Sequence, residues 1–178
     1  MPELVEISSD EFLLHPYASW KYQNFLLTCG DFATNQYNTM TIGWGSFGRM
    51  WQKPFAMVVV RPSRFTFEFM EAFSTFTLCM LPLEFKPAIS LLGTKSGRDG
   101  NKIAESGLTI VPSVRVPSPS FAEAELVIEC QKTYWQDFDP THFIDPSIQI
   151  QYPNQDYHRV YFGEILMIRG LDCFSRSQ

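Results

Sequence analysis

Lys53-Pro54-Phe55-Ala56-Met57-Val58-Val59-Val60-Arg61-Pro62-Ser63-Arg64-Phe65-Thr66 is the stretch on which the fold turns. After Pro54 the run FAMVVV contains no polar residue, and a short continuous apolar run bounded by turn signals suits a strand buried on both faces. Arg61-Pro62 stops it, because proline has no N–H to give to a ladder. In SRFTFEFMEAF, directly after, Phe65, Phe69 and Phe73 fall at i, i+4 and i+8. That spacing predicts a short helix, with Ser63 or Thr66 placed to cap its first turn. A buried strand therefore passes into a helix through a loop carrying two arginines and two hydroxyls.

Working outward, NFLLTC (24–29) is a short apolar stretch that Gly30 and Asp31 close as a turn, and the Thr-rich NTMTIGWGS (38–46) reads as a strand. Downstream, TFTLCML (75–81) alternates as a strand. A second helix over 84–92 is stopped by Gly93. The loop TKSGRDG (94–100) leads into a third helix, NKIAES (101–106), ended by Gly107. Two more strands are expected near 121–131 and 158–168. Between them, residues 135–156 form a polar-aromatic loop with three prolines, and a loop this long is either functional or packs as its own surface unit. Strands do not alternate regularly with helices, so the pattern excludes a doubly wound parallel sheet. It describes a mainly β protein with short helices, an antiparallel barrel with a helical excursion.

Composition agrees with that class. A chain of 178 residues fits one domain, here expected over 1–178, and its 16 Phe, 7 Tyr and 4 Trp favour a pleated core. A net charge of −5 excludes the basic field that nucleic acid requires, so any anion site must be a local concentration of Lys and Arg. The four cysteines are scattered, form no CxxC pair and have no histidine at zinc-ligand spacing, so no metal site is expected and a reducing compartment is. The N-terminus is acidic, without a signal-peptide pattern, and no apolar run approaches the ~20 residues of a membrane helix. The expected location is the cytoplasm.

Four segments could carry chemistry. Arg61-Pro62-Ser63-Arg64-Phe65-Thr66 lies where a strand enters a helix, a junction that aims backbone N–H groups and a helix dipole at one point and suits a phosphate. Lys95-Ser96-Gly97-Arg98-Asp99-Gly100 also precedes a helix, with glycines that let backbone approach an anion. These two loops hold four of the 14 basic residues of an acidic chain. There is no GxGxxG after a strand, no GxxxxGK[ST] and no GxSxG, so a phosphate here would belong to a mononucleotide held by loops. The third segment is Asn38-Thr39-Met40-Thr41-Ile42-Gly43-Trp44-Gly45-Ser46. Its small residues and hydroxyls would let a flat ring approach the backbone, although residue types alone favour glycines relieving a barrel bend with Trp44 in the core. The fourth surrounds His158, which opens a strand beside the long loop. A lone histidine is more often structural than chemical.

NTMTIGWGS (38–46), KPFAMVVVRPSRFT (53–66), LLGTKSGRDGNKIAESGL (91–108), EAELVIEC (123–130) and DYHRVYFGEI (156–165) together resemble the flavin-reductase-like family that includes the flavoredoxins. The five segments occur in family order from about residue 24 to 168. The resemblance implies an FMN-binding split β-barrel, Greek-key-like and antiparallel, that forms a homodimer with the flavin near the interface. It implies phosphate contacts from Arg61, Ser63, Arg64 and Thr66 and from Lys95, Ser96, Gly97 and Arg98. Asn38, Thr39, Thr41, Trp44, Gly45 and Ser46 match the strand along the ring and ribityl chain, and His158 matches a histidine near the isoalloxazine. The implied activity is an NAD(P)H-dependent flavin reductase passing electrons to flavin, iron or a protein. One alternative is a flavoredoxin-type carrier without independent reductase activity. Another is a non-catalytic ligand-binding barrel, against which the presence of Arg64, Thr66, Lys95 and Arg98 speaks.

Overall fold

A computed structural model of the protein describes residues 3–176. Eight strands build one antiparallel sheet: β1 (Val5–Glu6), β2 (Phe25–Asp31), β3 (Gln36–Ile42), β4 (Gly45–Met50), β5 (Lys53–Val60), β6 (Thr75–Met80), β9 (Leu126–Asp137) and β10 (Arg159–Gly170). A separate two-stranded ladder holds β7 (Ile110–Val111) and β8 (Ser120–Phe121). Helices are α1 (Pro16–Ala18), which continues as a π turn over Ser19–Gln23, α2 (Phe65–Ala72), α3 (Lys86–Thr94) and α4 (Lys102–Ser106).

The large sheet runs β3-β2-β6-β9-β10-β5-β4, with β1 added beside β10. Its two edge strands, β3 and β4, are consecutive in the chain and joined by Gly43 and Trp44 alone. Two residues can link opposite edges of a sheet only if the sheet curls back on itself. The result is a barrel split along the β3/β4 seam, the mainly β antiparallel class expected.

Alternation along the strands sorts the core into two layers. Phe25, Leu27 and Cys29 of β2 point inward with Val58, Val60, Phe76, Ile128 and Tyr161, all buried. Leu26, Cys79 and Val127 point outward and are covered by Ile89 and Leu92 of α3 together with Leu108 and Phe121. Trp20, from the π turn, plugs the seam end of the barrel, its ring centred 4.5 Å from Phe25 and 5.4 Å from Phe47. A Cβ at Gly45 would lie 2.4 Å from that indole, so the glycine is what lets the plug seat.

Several expected boundaries move. The strand expected over 38–46 breaks at Gly43-Trp44 into β3 and β4. Gly30 and Asp31 continue β2 instead of closing it, and the turn falls at 32–35. Arg64 is the N-cap of α2 with no side-chain cap bond, so neither Ser63 nor Thr66 caps it. Gly93 lies inside α3, which ends at Lys95 in extended conformation. The third helix has Asn101 as its cap, whose Oδ1 accepts from the Ala104 N–H at 3.1 Å, and ends at Gly107 with φ +73° as expected. β9 starts five residues later than expected and runs on through Asp137, which takes Trp135–Asp137 out of the expected loop.

Candidate functional site

A cleft of about 610 Å³ opens at the barrel seam, within the size range of small-molecule sites. Met40, Thr41, Ile42, Gly43 and Trp44 form its floor at the end of β3, and Val59, Arg61 and His158 form one wall. Tyr17, Trp20, Lys21 and Asn24 close over it from the N-terminal segment. Gly43 admits that cover, because a Cβ there would lie 2.8 Å from the Asn24 side chain. Met40 also borders a second, tight pocket of about 60 Å³ lined by Ser63, Arg64, Phe65, Thr66, Thr94, Lys95, Ser96, Gly97 and Lys102. The two loops singled out as anion sites thus meet in one place, next to the larger cleft.

Arg64, Lys95 and Lys102, which line the small pocket, and Arg98, which lies outside its lining, divide into two kinds. The Arg64 guanidinium donates to the Gly93 carbonyl, and Lys102 Nζ donates to the carbonyls of Leu92 at 2.9 Å and Lys95 at 3.0 Å. Both face the carbonyl end of α3, where positive charge is favoured. Among the described residues neither has a carboxylate within salt-bridge distance. Lys102 is buried, and that burial, helped by the charge of Arg64, pushes its ammonium down to about 8. Lys95 and Arg98 are instead paired, with Glu105 at 2.6 Å and with Glu68. Arg98 lies over the Phe65 ring at 5.0 Å and donates to the Ser63 carbonyl at 3.3 Å, tying the two loops together. Ser96 Oγ accepts from the Arg98 N–H at 3.2 Å and so caps the turn Gly97–Asp99.

The Thr-rich segment contributes less than expected. Asn38 Nδ2 donates to Thr66 Oγ1 at 2.8 Å, which buries both side chains against each other behind the pocket. Thr39 lies on the opposite face of β3 from Met40. Its hydroxyl is fully buried, donates to the Leu27 carbonyl and accepts from Thr28, and the residue lines neither space. Thr41 lines the cleft but its hydroxyl is committed to the Ile89 carbonyl of α3 at 2.5 Å. Gly45 and Ser46, beyond the corner, line neither space. Trp44 is not a core residue: it is half exposed at the cleft.

The far end of the cleft is organised by the long loop. Asp156 accepts from Arg61 at 2.9 Å and from the Ser63 hydroxyl at 2.8 Å, and Arg61 also donates to the Gln151 carbonyl at 2.7 Å. Burial raises the Asp156 carboxyl, but Ser63 and Arg61 outweigh it and leave it below the usual carboxylate range. The Arg61 guanidinium sits 4.9 Å from the centre of the Tyr152 ring. Tyr152 in turn places its hydroxyl 2.7 Å from His158 Nδ1, and the Trp44 ring is centred 5.1 Å from the imidazole. Burial, then the Arg61 charge, push His158 down to about 4 against an opposing pull from Asp156, so the ring is neutral at pH 7. Phe143 stacks on Tyr152 at 6.0 Å, and Tyr157 lies 4.9 Å from it. The loop is therefore both a surface unit of its own and part of the site.

Sequence reasoning overlooked Tyr17, Trp20, Lys21, Asn24, Lys102, Tyr152 and Asp156. Lys102 carried a readable signal: a lysine in the first turn of a helix opposes the dipole, and so calls for an anion or for carbonyls to receive it.

The family model for the flavin reductase like domain matches residues 18–166. An uncharacterized protein of Pyrococcus abyssi is 30% identical over 101 residues, 56% of this chain, and the chain spans 58% of that relative's length. Among solved structures, an FMN-binding domain of a flavin reductases-like enzyme from Shewanella baltica superposes with a TM-score of 0.67 at 16% identity, covering 94% of this chain and 77% of its own. The flavoredoxin of Desulfovibrio vulgaris gives 0.64 at 21% identity, with 84% and 70% covered. The NADH:FAD oxidoreductase of Streptomyces globisporus gives 0.64 at 14% identity, with 86% and 81% covered. The structural likenesses bear on the fold alone, while the family match extends over most of the sequence, from the π turn that covers the cleft to the middle of β10. The chain belongs to the flavin reductase like domain family.

Proposed function

We propose that the protein is an FMN-binding oxidoreductase acting as an NAD(P)H-dependent flavin reductase. The observation that carries this reading is the pairing of a ring-sized cleft with a tight, cation-lined pocket across Met40. Arg64 and Lys102, cations without a carboxylate partner, suit a phosphate dianion there. Ser63, Thr66, Ser96 and the Gly97 backbone surround them, while Lys95 and Arg98 brace the loop. Such a phosphate would leave the ribityl chain to run along Met40 toward Gly43, with Trp44 and His158 beside the ring.

When bound, FMN supplies a ring that accepts a hydride and passes electrons on. The chain's own part is to bind and orient. Arg64 and Lys102 fix one end, the N-terminal cover excludes water at the other, and the side of the cleft at the half-exposed Trp44 is open for a nicotinamide to stack. His158 is neutral at pH 7 and so brings no imidazolium charge to the ring there. A homodimer belongs to the same reading, since Trp51 and Trp135 are each more than half exposed and Tyr134 lies against Trp51 at 6.1 Å. So does a cytoplasmic location, which suits four free thiols. No helix among the described residues is long and apolar enough to cross a membrane.

Titration with FMN followed by flavin fluorescence tests the site, and anaerobic addition of NADH or NADPH tests the reaction. Rapid bleaching of the flavin spectrum is expected. A flavin inert to both nucleotides yet bleached by a chemical reductant would mean a flavoredoxin-type carrier. No fluorescence change at high micromolar FMN would remove the flavin site altogether.

A further inference from the structure

We propose that Tyr152 is a positioning residue that fixes the single proton of His158 on Nε2, so that the imidazole presents an N–H donor, not a base, to the cleft. The identity of what that donor meets rests on the flavin reading above. The placement of the proton does not.

The argument starts from the phenol. Tyr152 is 4% exposed, and among the described residues its hydroxyl has one side-chain partner, His158 Nδ1 at 2.7 Å; the His158 backbone N–H also faces the phenol oxygen, and as a donor it cannot receive the phenol hydrogen. Burial raises the phenol above its ordinary range, so it keeps its hydrogen at neutral pH. Were Nδ1 to carry the proton and donate it, the phenol hydrogen would be left in a buried place without an acceptor. A buried donor left without an acceptor is disfavoured, because nothing replaces the water it gave up. With the phenol donating and Nδ1 accepting, both groups are satisfied. A neutral ring then has its proton on Nε2.

The surroundings keep the ring neutral. From the residue after β5 the ring faces Arg61, and from the long loop it faces Asp156 and Tyr152. The aromatic rings of Trp44 and Phe138 also lie beside it. Asp156, the one group favouring a charged imidazole, is already engaged by Arg61 and Ser63. Tyr152 is held in place by the rings of Phe143 and Tyr157 and by the Arg61 guanidinium, so the phenol has little freedom to leave Nδ1. Nε2 makes no hydrogen bond to the protein among the described residues, and His158 lines the cleft. An N–H there recognises an acceptor: a carbonyl oxygen of a bound ring or of a planar co-substrate.

Long-range ¹H–¹⁵N correlation spectra of the full chain labelled in histidine nitrogen test this, with and without FMN, and a His158→Gln variant assigns the signal. The expected spectrum has a protonated Nε2 and an unprotonated, pyridine-like Nδ1 throughout the neutral range. Tyr152→Phe, which removes one oxygen, should yield a mixture of tautomers while backbone spectra remain native-like. A proton on Nδ1 in the unaltered protein, or a Tyr152→Phe variant that keeps the pure Nε2–H form, would overturn the proposal. If the variant does not fold, the unaltered protein still decides. A protein with the expected tautomer that fails to bind FMN refutes the flavin reading alone. One that binds FMN with its proton on Nδ1 refutes only this inference.

Discussion

Replacing Lys102 by methionine separates a binding role from a structural one. The side chain is buried, its ammonium lowered from 10.5 to about 8, and at pH 7 the charged form is retained. A lowering of that size corresponds to roughly 3 kcal/mol against the charged form, which screening by water at the pocket mouth reduces by about half. Methionine keeps the stem's volume and removes that penalty. It also deletes the hydrogen bonds to the Leu92 and Lys95 carbonyls, worth about 1 kcal/mol each. The two effects nearly cancel, so Lys102→Met should unfold in urea within about 1 kcal/mol of the parent. Binding should behave differently. Loss of a charge-assisted contact to phosphate is worth about 1.5–3 kcal/mol, so FMN should weaken roughly tenfold to a hundredfold while riboflavin, which has no phosphate, binds as before. Urea unfolding and paired fluorescence titrations with both ligands measure this. A variant destabilised by more than about 3 kcal/mol that loses FMN and riboflavin alike would show Lys102 to be only a cap on α3, and the reasoning would fail.

Arg64→Ala should likewise weaken FMN by roughly tenfold to a hundredfold and riboflavin far less; equal weakening in the same titrations would move Arg64 from the phosphate to the fold. His158, at about 4 in the folded chain against 6.5 when unfolded, must stay neutral to remain folded. Its contribution is therefore complete above about pH 6.5 and lost as the pH falls toward 4, up to ~3 kcal/mol, and His158→Gln should flatten the urea-unfolding profile across that window. A dimer whose interface completes the site must be tightened by FMN to the same degree that dimerisation tightens FMN. Sedimentation over a dilution series with and without FMN checks this, and a monomer of constant FMN affinity at every concentration would exclude a shared site.

The strand-to-helix junction was legible because its two halves carry different periods: an unbroken apolar run for β5, then phenylalanines at helical spacing for α2. The break between β3 and β4 was not. Gly43 and Gly45 signal equally a bend or a corner, and the residues on both sides are β-forming. β9 continues through QKTYWQD because β10 pairs with it as far as Arg159↔Asp137, a long exposed ladder whose polar residues read as loop. The two anion loops were visible as charge clusters. Which of their cations stay without a carboxylate was not, since that depends on Glu68 and Glu105 reaching them in three dimensions. Asp156 and Tyr152 escaped for a related reason. Arg61 and Asp156 lie far apart in sequence, and no local pattern encodes a pairing across that separation.

The two-residue link between the edge strands has a consequence for how the chain acquires its site. Gly43 and Trp44 join the two edges of the closed barrel, so the native cleft around them depends on the strands lying between β3 and β4 having paired. Those pairings include Val60 with Arg159 and Leu26 with Cys79, contacts between distant parts of the chain. Loop-closure entropy makes such contacts slow to form, in the millisecond-to-second regime of non-local β proteins. The cleft at the seam draws its lining from β3, β5 and the start of β10 together, so a ligand that recognises it favours molecules in which those strands have paired.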